Sequence, residues 1–374
     1  MESMVNQTSL FGGVYQNKKV LITGHTGFKG SWLALWLHQL GAQVAGYSAY
    51  LPSSPCNFQV LDLSSRIKHY ENDTRDLGAL RRAIMEFQPE IIFHLAAQPL
   101  VKKSYQEPRL TFESNLMGAV NLLECLKDAP CVKAVVVITS DKSYRNKEWE
   151  WGYREDDELG GDDPYSASKA CVEIACRCYQ SSFFKNNPGL NIATTRAGNV
   201  IGGGDWAEDR IVPDCIRALS QNTTIVIRSP QATRPWQHVL EPLSGYLWLG
   251  RQLLVEPQPH DGHAYNFGPD SKVIQPVAEM VKEIIKHWGA GSVQLENNDN
   301  NQKECTLLKL NCDKALHKLH WRAILNFEET IKLTVDWYRR YYFGGVNMFD
   351  MSNSQIEYYV NKAVEENLAW TKRV

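Results

Sequence analysis

Tyr165-Ser166-Ala167-Ser168-Lys169 sets a phenol and an ammonium four residues apart. On a helix those two positions share a face, one turn apart. An ammonium beside a phenol favours the phenolate, which draws the hydroxyl from its ordinary pKa of about 10 toward the range of a working acid or base. A second cluster, Thr139-Ser140-Asp141-Lys142, puts a hydroxyl, a carboxyl and an amine in consecutive positions. Its chemistry would be to polarise an oxygen at Ser140, give up a proton at Asp141 and accept one at Lys142. A third stretch, Val20–Gly30, runs from apolar residues into Gly24, Gly27 and Gly30, and an apolar helical pattern (Phe28, Leu33, Leu37, Leu40) follows at once. That is strand, tight turn and helix. Glycine serves where backbone turns at positive φ or approaches a diphosphate without a Cβ, and the helix N-terminus offers unpaired N–H groups to an anion.

These groups need a scaffold that brings them together. Gly41 ends the first helix and Gln43–Tyr47 is the second strand. A nucleotide-binding fold often places an acid after that strand, to hold the adenine ribose hydroxyls. Here the chain reads Ser48-Ala49-Tyr50-Leu51-Pro52, with neither that acid nor an arginine for a 2′-phosphate. Asp73-Thr74-Arg75-Asp76 precedes a helix through Leu80, Ile84 and Phe87, and the strand in Pro89–Ala97 runs into small residues on which a cofactor can lie. Pro108–Lys127 reads as one long helix, and Val132–Ser140, the most apolar strand, as the centre of the sheet. The Ser140 cluster then stands at the strand end, where open α/β sheets place ligands.

The alternation of strand and helix at about 30 residues per unit predicts an α/β fold, a Rossmann-type doubly wound parallel sheet. Past Arg196 the rhythm breaks into Gly-Pro-Asp-Trp clusters such as Gly202–Trp206 and Arg234-Pro235-Trp236. The expected organisation is a loosely packed arm over 1–17 and a dinucleotide-binding domain over 18–198 plus about 236–268. A smaller mixed α/β lobe covers 199–235 plus about 269–343, and 344–374 is an extension too mixed to assign. Asn297–Gln302 reads as a polar loop and Glu328–Tyr342 as a helix.

Forty basic and 42 acidic residues leave a net charge of −2, which points away from nucleic acid and anionic membranes and toward a small substrate. The longest apolar stretches, 131–139 and 245–255, fall far short of the roughly 20 residues that span a bilayer. Met1–Gln16 lacks the layout of a signal peptide, and nine cysteines show no CxxC pair, so a reduced, cytoplasmic setting without a metal centre is expected. Cys171, Cys176 and Cys178 fall in one helical pattern as small core residues, His94 and His238 read as structural, and Trp206 and Trp236 could serve the core or a ligand.

The glycine triplet, Leu95-Ala96-Ala97, the Ser140 region and Tyr165-x-x-x-Lys169 together resemble the extended short-chain dehydrogenase/reductase family. Longer stretches are similar to its nucleotide-sugar 4,6-dehydratases of the CDP-glucose branch: Thr23–Trp36, His94–Val101, Thr139–Lys142 with Trp149–Arg154, Asp163–Lys169, Arg196–Ala207 and Arg234–Tyr246. Sister dehydratases acting on dTDP- or GDP-sugars carry Asp-Glu where this chain has Asp141-Lys142. The resemblance implies bound NAD, used and regenerated within each turnover, with CDP-glucose as substrate. It implies that Tyr165, helped by Lys169 and Ser140, takes the 4-hydroxyl proton while C4 is oxidised. Asp141 would protonate the departing 6-hydroxyl, and Lys142 would either remove the C5 proton or pair with Asp141 and orient it. Gly24, Thr26, Gly27, Phe28 and Gly30 would hold the dinucleotide diphosphate, Asp73 and Thr74 the adenine, and Leu95, Ala96 and Ala97 the nicotinamide side, where Tyr165 and Lys169 also reach it. Gln98, Asn199, Arg210 and Arg234 would take the sugar nucleotide. A homodimer or homotetramer through helices at 112–127 and 163–185 is the implied assembly. A 4-epimerase of the same family would not need Asp141-Lys142, and a nucleotide sensor without turnover would not need Tyr165 and Lys169.

Overall fold

The computed structural model describes residues 7–185, 189–270, 273–295 and 307–372; the expected polar loop Asn297–Gln302 and the first six residues of the arm lie outside them. Six strands appear in chain order: β1 (Lys19–Thr23), β2 (Gln43–Ser48), β3 (Lys68–Glu71), β4 (Ile91–His94), β5 (Ala134–Ile138) and β6 (Asn191–Arg196). With the strand Ala264–Asn266 they form one seven-stranded sheet. Its order is β3-β2-β1-β4-β5-β6 and then Ala264–Asn266, and all of its pairings are parallel. β1, β4 and β5 are almost continuous runs of Val, Ile, Leu and Ala because both faces of a parallel sheet are covered by helices.

One face carries helices Leu77–Phe87, Gly118–Leu126 and Pro164–Tyr179, and the other Phe28–Gln39 and Leu240–Val255. The order reverses between β1 and β4, and at that switch point the strand ends part to leave a crevice. β5 is the most apolar strand, but it stands one place off centre; β4, equally buried, occupies the middle. Apolar content reports burial, and in a doubly wound sheet several strands are equally buried.

The chain after Arg196 builds three two-stranded pieces: Val200–Ile201 with Gln237–His238, Ile225–Ile227 with Val293–Leu295, and Thr233–Arg234 with Gln275–Pro276. Helices Ile211–Ser220, Val277–Trp288 and Phe327–Phe343 back them, and their apolar residues continue the core on that face of the sheet without a break.

Three local expectations are corrected. The arm is packed: Leu10, Phe11 and Tyr15 are buried, Phe11 stacks on Trp370 at 5.1 Å between centroids, and the Tyr15 hydroxyl donates to the Leu247 carbonyl. Its positive φ at Phe11, Gly12 and Gly13 gives no periodic pattern for sequence reading to detect. The C-terminal extension is helical over Met348–Glu365, starting at Asn347, whose side chain accepts from the Phe349 N–H. Pro108–Lys127 is not one regular helix; a π turn over Glu113–Met117 interrupts it, and within that turn the buried Asn115 side chain donates to Ser168 and to the Gln98 carbonyl.

Candidate active site

The crevice at the switch point is a pocket of about 330 Å³. One wall is the turn after β1. Gly24 sits at φ +77°, and a Cβ there would come within 2.7 Å of the Ala96 nitrogen; a Cβ at Gly30 would lie 2.2 Å from the Gly24 carbonyl oxygen. The turn closes on itself through the Gly27 N–H to the Gly24 carbonyl, 3.1 Å. Helix Phe28–Gln39 then begins with Gly27 as its N-cap, which supplies no side-chain acceptor, so its first amides are left for an anion. This cradle fits a dinucleotide diphosphate. Gly24, Thr26, Gly27, Phe28 and Gly30 all border the pocket, as do Asp73, Thr74, Leu95, Ala96 and Ala97.

The opposite wall carries the titratable groups. Asp163 caps helix Pro164–Tyr179 by accepting from the Ser166 N–H at 2.9 Å, and Pro164 fills its first turn, so Tyr165 enters the pocket from that turn and Lys169 one turn later. Both are at least nine-tenths buried. The Lys169 ammonium donates to the Ile138 carbonyl, 3.2 Å away at the end of β5. Burial brings it down to about 7, helped by the Lys29 ammonium and opposed by Glu173. Tyr165 behaves against expectation: burial pushes its phenol up to about 12, outweighing the Ser140 hydroxyl and the Arg210 guanidinium, which pull it down.

Ser140 and Asp141 follow β5 and are buried; the Ser140 hydroxyl donates to Asp141 Oδ1 at 3.0 Å and accepts from the Lys142 N–H at 3.2 Å. Lys142 is half-buried in the turn Asp141–Ser143, and its ammonium makes no hydrogen bond or ion pair with the described residues, Asp141 included. Arg210 reaches the pocket from the cap of helix Ile211–Ser220 and is held by Asp205 at 2.8 Å.

The remaining sequence-based candidates are placed differently. Gln98 borders the pocket, but its side-chain amide is engaged by Leu100 in its own loop and by Thr111 in the helix Pro108–Phe112. Asn199 has φ +48° and takes the Gln237 N–H on its carbonyl; Arg234 lies in the strand paired with Gln275. Neither borders the pocket, and nor do Ser140, Asp141 and Lys142, which follow the lining residues Ile138 and Thr139 in the chain. Trp206 does both jobs, bordering the pocket while packing on Trp337, Tyr338 and Tyr341, and Trp236 is buried. His94 is buried against Thr23 at 2.7 Å and brought down to about 3 by burial and by Lys169, and burial alone does the same to His238. The described cysteines are all unpaired.

Sequence reading missed four features. Lys29, between two motif residues, puts its ammonium beside the Tyr246 ring, 5.9 Å from the centroid, and is brought down to about 8 by burial and by Arg210, against Asp141. His25 is buried beneath the turn, bonded to Ser48 at 3.0 Å and His69 at 2.7 Å. Glu173 and Arg196 form a buried pair, at 2.9 and 3.0 Å, that also engages Thr139 and Thr194. It ties the helix bearing Tyr165 to β5 and β6 directly behind Ser140. Finally, Arg75 borders the pocket, so an arginine stands near the end of β2 after all, carried in from another loop. Only the Lys29 position had a visible signal, a charged residue inside an otherwise apolar or small motif.

The family model described as GDP-mannose 4,6 dehydratase matches residues 21–334 of this chain. The chain belongs to that family. Over 353 residues it is 44% identical to the CDP-glucose 4,6-dehydratase of Salmonella typhimurium, covering 93% of this chain and 97% of that protein. A dTDP-glucose 4,6-dehydratase from Streptomyces venezuelae, solved with NAD, shares the fold at TM-score 0.73 and 24% identity, covering 86% of this chain and 96% of the other. A UDP-glucose 4-epimerase from Thermus thermophilus, solved with NAD, matches at TM-score 0.73 and 25% identity, covering 88% of this chain and all of the other.

Proposed function

We propose that this enzyme converts CDP-glucose to CDP-4-keto-6-deoxyglucose and water with NAD as its resident cofactor. The reading is carried by one juxtaposition: Asp141 and Lys142 stand in the turn that follows β5, where the Asp141 carboxylate acts on the Tyr165 phenol and Lys142 has no partner among the described residues. The relationship to the Salmonella typhimurium CDP-glucose 4,6-dehydratase supports the choice of sugar and base. NAD supplies reversible oxidation, at C4 of the glucose first and then in the opposite sense at C6.

Each residue's role follows from where it stands. Tyr165 takes the proton of the 4-hydroxyl; the Ser140 hydroxyl and the Arg210 guanidinium favour its phenolate, and Lys169 follows one turn later on the same helix. A 4-ketone acidifies the C5 proton, which Lys142 removes from its unpaired position. Asp141, oriented by Ser140, protonates the departing 6-hydroxyl. Arg210 offers a guanidinium to the sugar-nucleotide diphosphate. The glycine turn, with Asp73, Thr74 and Leu95–Ala97, holds NAD. Residues 18–198 with about 236–268 form the dinucleotide domain, and 199–235 with about 269–343 the sugar-nucleotide lobe. Asn199 and Arg234 lie on that second part, beyond the described pocket, where they serve the nucleoside end. We further assign the protein to the cytoplasm, as a homodimer or homotetramer, making a deoxysugar precursor for a bacterial surface polysaccharide.

Incubation with CDP-, dTDP-, UDP- and GDP-glucose, followed by assay for the 4-keto product, tests the assignment. Turnover with CDP-glucose is expected, and turnover only with a non-cytidine sugar would overturn it. In Lys142→Met, solvent exchange of the C5 hydrogen should be lost, and exchange at the normal rate would remove Lys142 from the role of base.

A further inference from the structure

The adenosine end of the pocket lacks the usual discriminator. β2 ends in Ser48, whose hydroxyl is bonded to His25 at 3.0 Å and lies 3.4 Å from the Thr26 N–H, so no fixed anion stands there to reject a 2′-phosphate. The charges at this end come from another loop. The Tyr47 hydroxyl, in β2, donates to the Asp73 carbonyl at 3.0 Å and draws residues 73–75 alongside the strand end. There Asp73 and Arg75 both border the pocket.

Arg75 is closed on Asp73. Its Nε and Nη2 donate to Asp73 Oδ2 at 3.0 and 2.7 Å, and its backbone N–H to Oδ1 at 2.8 Å. Glu113 stands 3.8 Å from Nη1 but is itself engaged by Arg109 at 2.6 Å, so Asp73 is the principal partner. A guanidinium presenting two parallel N–H groups is the donor set that binds a phosphate dianion. Here those donors are occupied, and the carboxylate that occupies them repels the same anion.

Resting on the reading of this pocket as a dinucleotide site, we propose that Asp73 makes it select NAD over its 2′-phosphorylated counterpart. It does so by holding Arg75, which would otherwise receive the 2′-phosphate. Discrimination therefore comes from an arginine guarded by an acid, in place of an acid at the end of β2.

Titration of NADH and NADPH into the full-length protein, followed by nicotinamide fluorescence, tests this. The two share the adenine and diphosphate, so the ratio of their dissociation constants isolates the 2′ position. In Asp73→Asn the preference for NADH should fall by roughly tenfold or more, the scale of hydrogen bonds to a charged group. The shift should weaken at high salt. Asp73→Asn with Arg75→Ala should return the ratio to its starting value. An unchanged ratio in Asp73→Asn, or the same shift in the double variant, would overturn the proposal while leaving the dinucleotide reading intact. Failure of the unaltered protein to bind either nucleotide would overturn both.

Discussion

Gly198 lies behind the proposed general acid. A Cβ built there would stand 1.8 Å from Asp141 Oδ2 and 2.3 Å from its Cγ. The backbone has no room to retreat, because the Gly198 carbonyl accepts from the buried Gln237 amide at 3.0 Å. In Gly198→Ala the Asp141 carboxylate must therefore move, by roughly 2 Å to reach ordinary van der Waals contact. Its bond to Ser140 would break with that motion. A displacement of about 1 Å in a reacting group can cost on the order of a hundredfold, or about 2.7 kcal/mol in the barrier. Dehydration of CDP-glucose should fall by at least that much while the folded structure survives, since the displaced atoms are the end of a side chain. The diagnostic comparison is the 6-deoxy-6-fluoro analogue, whose leaving group departs without needing a proton. If Asp141 protonates the 6-hydroxyl, the loss should be much smaller for the fluoro compound. Wild-type turnover in Gly198→Ala, or equal losses on both substrates, would refute the reasoning.

Three other outcomes follow from burial and pairing. Lys169 is held at about 7 in the fold, below its ordinary value of about 10.4. The unfolded chain therefore binds more protons between those values, and this group's contribution to stability rises with pH across that window. Lys169→Met should abolish turnover yet raise the denaturant midpoint at pH 7, the gain shrinking toward pH 10. Glu173→Gln leaves Arg196 buried without its counter-charge and should cost about 3–5 kcal/mol in urea unfolding. Phe11→Ala removes a fully buried ring stacked on Trp370 and should cost about 3–5 kcal/mol, which a loosely attached arm would not.

The local chemistry was written in the chain. A glycine turn flanked by strand and helix and continuous apolar strands are short-range features, fixed by backbone freedom and by burial on two faces. They were enough to place Gly24–Gly30 and Ser140–Lys142 at the ends of parallel strands, and Tyr165 and Lys169 one turn apart on a helix. Tertiary structure decided what depends on neighbours distant in sequence. Phe11 meets Trp370, Glu173 meets Arg196, Gly198 meets Asp141, and Arg75 arrives beside the end of β2. The Tyr165 phenol shows the physical reason. Spacing alone gives it an ammonium one turn away and so a lowered pKa, whereas the folded chain also strips it of water, and in a buried site desolvation is the larger effect.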